Sequence, residues 1–230
     1  MYIRKSGMII AHGSAFTGLP PSFMVVSIYD QYPPGPEWTK STSLRAFSQQ
    51  VGLSLKNFNN ANCATITSAW HWMLGLATAR GHANVQTYYR NDAHPVPVFK
   101  VVHLVVGYTP CCVVLVHAPD FKIMTHGRAM SLLVSLYRMV HEMCAMRGGR
   151  AADARMSPLC AGEFKTKAAL PEILRTCIDE LLTPTSAPIT VYGFDVAEYD
   201  TLMTGVARRV KELGLTTRRS IGGTTHSNTK

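Results

Sequence analysis

The stretch from Ile189 to Gly214 constrains the fold more than any other part of the chain, because all of its local signals agree. Apolar and polar residues alternate over 189–194, which predicts a half-buried β-strand. Asp195 follows, with Glu198 three residues later, and this is the spacing of a helix capping box. Apolar residues then recur at helical spacing up to Gly214, a residue type that ends many helices: Val196, Tyr199, Leu202, Met203, Val206, Val210 and Leu213.

This strand and helix resemble the first strand and first helix of small-subunit ribosomal protein ten, particularly its mitochondrial form. The similar elements are the strand end Gly193-Phe194-Asp195 and the helix end Lys211-Glu212-Leu213-Gly214, within about residues 189–218. The resemblance implies a ferredoxin-like βαββαβ domain that contacts ribosomal RNA in the head of the small subunit. The long hairpin, second helix and last strand of that family do not follow in this sequence, which ends in a Gly/Thr/Ser/Asn tail.

Basic side chains cluster where the predicted helix ends, and such side chains contact phosphates without reading base sequence. The predicted RNA-binding residues of this first cluster are Arg208, Arg209, Lys211, Arg218 and Arg219. A second group lies in a segment rich in glycine and alanine, of a kind that often orders on RNA: Arg147, Arg150 and Arg155. The alternative for the first cluster is a solvated helix end whose cations match the macrodipole.

The composition favours a polyanionic partner and a reducing compartment. The formal net charge is +9, and hydrophobic residues make up 47% of the chain against 16% charged ones. The six cysteines show no Cys-x-x-Cys spacing, so reduced buried thiols are expected. The first 29 residues contain no acidic residue, which is compatible with a mitochondrial presequence. A mitochondrial location is therefore predicted.

The middle of the chain predicts a mixture of strands and helices. The uncharged run over 101–118 is interrupted by turn residues at 107–110, which favours a buried hairpin over a membrane span. Helices are predicted over about 127–147 and from Pro171 to Leu182. The fold class predicted is α+β, with a small mixed or antiparallel sheet packed against helices and a helical N-terminal part. A rearranged ferredoxin-like core is one alternative within it.

Composition shifts divide the chain into four predicted regions. Residues 1–40 form a proline-rich N-terminal extension with a possible targeting segment, and residues 41–95 form a helical region. Residues 96–219 form the α+β core, with a flexible linker near 149–166. Residues 220–230 form a mobile tail.

Motifs for catalysis and metal binding are sparse. Residues 44–61 resemble a helix-turn-helix with a glycine in the turn, although two packed helices explain the same spacing. His141 and Cys144 lie three apart on one predicted helix, with His126 as a further candidate, but one tight pair does not make a zinc site. No Walker A loop, Gly-x-Ser-x-Gly or His-Glu-x-x-His is present. The sequence therefore predicts a chain that is not an enzyme and has no metal, cofactor or small-molecule substrate.

These observations together predict a structural, RNA-contacting subunit of a mitochondrial ribosome, in its small subunit. Its expected partners are ribosomal RNA and neighbouring ribosomal proteins, without membrane insertion. Two alternatives stay open from the residues: a helix-turn-helix nucleic-acid-binding regulator, and a non-catalytic subunit of another mitochondrial complex.

Overall fold

The computed structural model describes residues 2–3, 8–15, 23–28, 83–88, 99–106, 109–146, 154–162, 165–182, 189–193, 195–215 and 217–218. Strands within these ranges are β1 (Tyr2–Ile3), β2 (Met8–His12), β3 (Phe23–Ile28), β4 (Ala83–Tyr88), β5 (Phe99–Val106), β6 (Thr109–His117), β7 (Ala154–Met156), β8 (Ile189–Gly193) and β9 (Thr217–Arg218). The described helices are α1 (His126–Met146), α2 (Leu170–Leu181) and α3 (Val196–Glu212).

The described strands form one mixed sheet in the order β4-β5-β6-β3-β7-β8-β2-β1-β9. The central strands β6, β3, β7, β8 and β2 are all parallel, and antiparallel strands extend the sheet on both sides. The prediction of a mixed sheet packed with helices is confirmed, and the purely antiparallel alternative is wrong. Helical crossovers explain the difference, because the chain passes through α1 between β6 and β7 and through α2 between β7 and β8.

The hairpin and the helices predicted from the sequence are present. β5 and β6 pair antiparallel across the predicted turn, from Val106 opposite Thr109 to Phe99 opposite Val116. α1 and α2 begin and end within one residue of the predicted limits at 127–147 and 171–182. Among the described helices, none is long and apolar enough to cross a membrane.

The three described helices form a layer in which α1 packs on α2, and α2 on α3. α3 also packs on β8 and β2, so the layer covers the parallel part of the sheet. The core between them is apolar and includes Tyr137 in α1, Cys177 in α2 and Val191 in β8, all with no exposed surface. Burial of this kind stabilises by roughly 25 cal/mol per Å² of apolar surface removed from water.

The predicted strand and capped helix near the C-terminus are confirmed as β8 and α3. The Asp195 carboxylate accepts a hydrogen bond of 2.8 Å from the Glu198 N–H. The buried stripe is narrower than predicted, since Leu202, Val206 and Val210 are buried while Val196 is 63% exposed. The relationship to ribosomal protein ten that these elements suggested stays a prediction.

The predicted regions and the observed elements differ in two places. The range 149–166, predicted as a flexible linker, contains β7, a central strand whose Ala154 and Met156 are fully buried. The predicted N-terminal extension, 1–40, supplies β1, β2 and β3. The helix-turn-helix candidate at 44–61 and the predicted tail at 220–230 lie outside the described residues, as does most of the helical region at 41–95.

Candidate functional site

The carboxyl ends of the five parallel strands lie along one edge of the sheet. Between β3 and β7, the connections to the next parallel strand change direction. The next parallel strand after β3 is β6, on one side of β3, whereas the strand after β7 is β8, on the opposite side of β7. β3 and β7 are direct neighbours. Open α/β sheets bind ligands beyond the carboxyl ends of the strands at such a switch point.

The sheet has a gap at this switch point because β7 ends before its neighbours. The last pairs of β7 join Met156 to Val25 on β3 and to Val191 on β8. The pairing of β3 with β6 continues to Ile28, and that of β8 with β2 continues to Gly193. At roughly 3.3 Å per residue, β7 is thus recessed by roughly 7–10 Å. We call this gap the notch, and residues 157–162, which follow β7, the notch loop.

The notch loop has an unusual backbone conformation at Cys160. Its φ is 64°, and among the described residues no other non-glycine residue has a positive φ. The Ala161 N–H donates to the Pro158 carbonyl at 3.4 Å, which closes a tight turn around Cys160. Within the part of the chain that the structure describes, no acceptor is present for the backbone N–H groups of Cys160 and Gly162. Backbone N–H groups beside a left-handed residue can form a concave site for anions.

Two contacts hold this conformation from outside the loop. The Leu159 N–H donates a buried hydrogen bond of 2.8 Å to the Tyr137 hydroxyl of α1. The Cys160 thiol donates to the Pro119 carbonyl, just after β6, with an Sγ–O distance of 3.3 Å. Burial raises the pKa of Tyr137 well above its ordinary value and also raises that of Cys160, so both side chains stay protonated.

One side of the notch is formed where β2 and β8 end. The Gly13 N–H donates to the Gly193 carbonyl at 2.9 Å, which extends the pairing of the two strands by one residue. The exposed His12 ring lies edge-on to Tyr199 of α3, with 5.7 Å between the ring centroids. The Asp195 carboxylate caps the N-terminus of α3 by accepting a hydrogen bond from the Glu198 N–H. This carboxylate leaves the N-terminus of α3 unsuited to a second anion.

The same edge carries the N-termini of α1 and α2, because each helix follows the carboxyl end of a parallel strand. The first turn of α1 contains no acidic residue, whereas that of α2 contains Glu172. A side-chain contact of 2.6 Å joins His126 of α1 to Glu172 of α2 and brings the two helix starts together. The partial positive charge of helix N-termini favours anionic groups. Partly or fully exposed lysines lie in the two loops that lead into these helices: Lys122, Lys165 and Lys167.

A second concave surface lies between the outer faces of α1, α2 and α3, with a volume of about 1360 Å³. Four of its charged groups are paired with one another: Arg138 with Glu180 at 3.1 Å, and Arg175 with Asp179 at 3.4 Å. Its lining residues all belong to the three helices. The notch is therefore the better candidate site, since it combines a switch point, a strained loop and helix N-termini.

Three of the predicted RNA-binding residues lie on α3, away from the notch. Arg208, Arg209 and Lys211 are in the last turns of α3, and that helix starts at the notch edge and runs to the opposite edge. Arg209 contacts Asp179 at 3.2 Å and Glu212 at 3.1 Å, and Arg208 is 3.9 Å from Glu212. Much of the local positive charge is thus already neutralised within the helix pair.

The remaining predicted positions are scattered. Arg155 is half-buried in β7, and Arg218 lies in β9 at the far end of the sheet. Arg147, Arg150 and Arg219 lie outside the described residues. The structure does not bring the described members together into one surface, and their role in RNA binding stays a prediction. Among described residues, no group of three potential metal ligands occurs, and the zinc candidate His126 faces Glu172 and Phe121.

Neither a protein-family model nor a curated protein matches the sequence. The fold is similar to the macrodomain of Oceanobacillus iheyensis solved with ADP, at a TM-score of 0.55 and 10% identity over 92% of this chain and 96% of that one. A point mutant of that macrodomain gives 0.53 at 11% identity, over 92% and 97%. An alphavirus structure described as P23pro-zbd gives 0.51 at 14% identity, where 88% of this chain spans 24% of the viral chain.

This likeness shows a macrodomain-like fold and overturns the function predicted from the sequence. The predictions of a structural ribosomal subunit, of ribosomal RNA as partner and of a role in translation are wrong, because the similar solved folds are macrodomains. The predictions that the chain is not an enzyme and has no small-molecule substrate are wrong on the same ground. The strand–helix unit at 189–212 misled the prediction because it is common to many α/β folds.

The sequence analysis missed the notch loop, although a signal was present. The three residues of β7 alternate in the sequence, and α2 has a proline in its first turn. Between them, Pro158 and Gly162 lie on either side of a short run of small and apolar residues. That order of strand, glycine-containing turn and helix is typical of a ligand-binding loop in an α/β fold. Its small and basic residues were interpreted as a linker.

Proposed function

We propose that this chain binds ADP and ADP-ribosyl groups in the notch, with the diphosphate against the notch loop. The observation that supports this most is the recessed β7 at a topological switch point, in a fold similar to a macrodomain solved with ADP. The ligand itself is carried over from that protein by analogy.

The electrostatics of the edge support an anionic ligand. A diphosphate placed above β7 meets the N-terminus of α1 and the loop N–H groups of Cys160 and Gly162. The formal charge of +9 attracts polyphosphates toward the chain at moderate salt.

The location in mitochondria, based on the acid-free first 29 residues, remains a separate proposal, which imaging of the tagged protein would test.

Isothermal titration calorimetry with ADP, ADP-ribose and GDP tests the binding directly. We expect ADP and ADP-ribose to bind, and the comparison with GDP measures how much the adenine base contributes to the affinity. Chromatography of each ligand before and after incubation measures turnover with the same protein. Absence of binding by either adenine nucleotide at millimolar concentration would contradict the proposal.

Gly162→Glu provides the site variant, with Lys211→Glu as its matched control. Gly162 is exposed, and a Cβ there meets no atom within 4 Å among the described residues, so the fold should tolerate a side chain. The new carboxylate lies in the notch loop and repels a diphosphate, so we expect ADP affinity to fall at least tenfold. Lys211→Glu makes a larger charge change at the opposite edge and should alter the affinity less than threefold. Equal losses for both variants would place the ligand elsewhere.

A further inference from the structure

We infer that Tyr137 is a positioning residue for nucleotide binding, whose hydroxyl holds the notch loop in its binding conformation from inside the helix layer. The inference rests on the proposed function. It assigns a role to a residue of α1 that lies beneath the loop and outside the notch itself.

The first step of the argument is that the Tyr137 hydroxyl does more than fill the core. Tyr137 has no exposed surface, and a phenylalanine ring would fill the same space. A buried hydroxyl is costly unless it is hydrogen-bonded. This one accepts from the Leu159 N–H at 2.8 Å and lies close to the Cys177 thiol. The hydroxyl therefore ties α1 to the notch loop.

The second step concerns the residue next to the bond. Cys160 has a φ of 64°, which a side chain with a Cβ adopts only when the surroundings hold it. The bonds at Leu159 and at the Cys160 thiol lie on either side of this one strained φ angle. Loss of the Tyr137 hydroxyl leaves the Leu159 N–H buried without an acceptor, and the loop can relieve both costs by turning away.

The third step links the loop conformation to the ligand. The N–H groups of Cys160 and Gly162 lie on opposite sides of the N–Cα bond of Cys160, so a change of φ there alters the direction of one relative to the other. Contacts to a diphosphate depend on donors held in place before the ligand arrives. If the loop also adopts other conformations, the observed affinity is the intrinsic affinity multiplied by the fraction of molecules in the binding conformation.

The test compares Tyr137→Phe with Val140→Ala. Val140 is fully buried one turn further along α1 and contributes no hydrogen bond to the loop. Val140→Ala therefore destabilises the same part of the core without removing a contact to the notch loop. We expect Tyr137→Phe to weaken ADP binding about tenfold, the size of one buried hydrogen bond. Val140→Ala should stay within twofold of the unmodified chain, measured well below both melting temperatures.

Hydrogen exchange of the free proteins gives a second readout that does not need the ligand. In Tyr137→Phe the hydrogen-bonded amides of Leu159 and Ala161 should exchange at least tenfold faster, while those in the middle of α1 change as they do in Val140→Ala. Unchanged loop exchange, or an equal loss of ADP affinity in both variants, would overturn the role of Tyr137.

The outcomes also separate this inference from the proposed function. Tight ADP binding by the unmodified chain together with unaltered affinity in Tyr137→Phe overturns the inference alone. Failure of the unmodified chain to bind ADP or ADP-ribose overturns the proposed function, and the role of Tyr137 in ligand binding with it.

Discussion

Two neighbouring strand–loop–helix units, β7–α2 and β8–α3, reach similar geometry by opposite means. The conformation of β8–α3 is determined by residues of the unit itself. Asp195 caps α3, and Gly193 lets the end of β8 approach that helix closely. β7–α2 has a strand of three residues and a loop whose shape depends on Tyr137 and Pro119, which lie elsewhere in the chain. The α2 N-cap residue, Ala169, makes no side-chain capping bond.

The difference suggests why the candidate site lies in β7–α2. A locally encoded turn satisfies its own backbone groups, as the Asp195 carboxylate does for α3, and leaves little for a ligand. A loop held by distant side chains can keep N–H groups unsatisfied and a backbone angle strained, because the rest of the fold carries the cost. The two units can be tested separately, and three predictions do so.

The largest effect is expected at the two described cysteines of β7–α2. Burial raises the pKa of Cys177 to about 12, against an ordinary value near 9, and also raises that of Cys160. At pH 8 the reactive thiolate of Cys177 should therefore be about a thousandfold scarcer in the folded than in the unfolded chain. Iodoacetamide labelling at pH 8, quantified by peptide mass spectrometry, should find both residues protected in the native protein.

Labelling in urea provides the control, since both thiols should then react at the rate of a free cysteine. Because the folded pKa of Cys177 is raised, its contribution to stability is complete below about pH 9 and declines as the pH approaches 12. Rapid labelling of Cys160 at pH 8 in the native state would show that the notch loop is not held as described.

The next largest effect is expected at Gly193 in the β8–α3 unit. A Cβ at this position would lie 2.6 Å from the Tyr199 Cα and 2.7 Å from the Tyr199 nitrogen, both backbone atoms that cannot rotate away. Gly193→Ala should therefore lower the free energy of unfolding by about 3 kcal/mol, measured by urea denaturation. Gly127→Ala is the matched control, because its Cβ meets nothing within 4 Å among the described residues. It should be neutral or stabilise α1 by about 0.5 kcal/mol, and equal losses would refute the packing explanation.

The same contrast explains how much the sequence could predict. β8, α3 and the Asp195 cap were predictable, since strand alternation, the capping box and the final Gly214 are all local signals. The hairpin of β5 and β6 was predictable from its turn residues. The antiparallel alternative for the sheet was wrong because strand direction depends on crossovers, which local alternation does not encode.

The candidate site was less accessible than the fold, for a physical reason. The alternation in β7 covers only three residues, which is too short to predict a strand, and its neighbours β3 and β8 lie on either side. The conformation of Cys160 depends on a hydroxyl 23 residues earlier in the sequence, so no local rule marks it. The basic residues Arg208 and Lys211 were conspicuous in sequence but lie at the opposite edge. The ribosomal function predicted from this charge cluster was overturned by the likeness to macrodomains, and the role of these residues in RNA binding stays a prediction.

The smallest predicted effect tests whether α3 is locally encoded. Asp195→Ala removes the 2.8 Å bond to the Glu198 N–H and should lower the free energy of unfolding by about 1 kcal/mol. Asp195→Asn keeps an oxygen acceptor and loses only the charge at the helix start, so it should lose less than half as much. Hydrogen exchange should rise in the first turn of α3 and stay unchanged at Leu159–Gly162, because the notch loop depends on Tyr137 and Pro119 instead. Faster exchange in that loop in Asp195→Ala would mean that the two units are coupled, and that the conformation of the notch loop depends on the neighbouring unit as well.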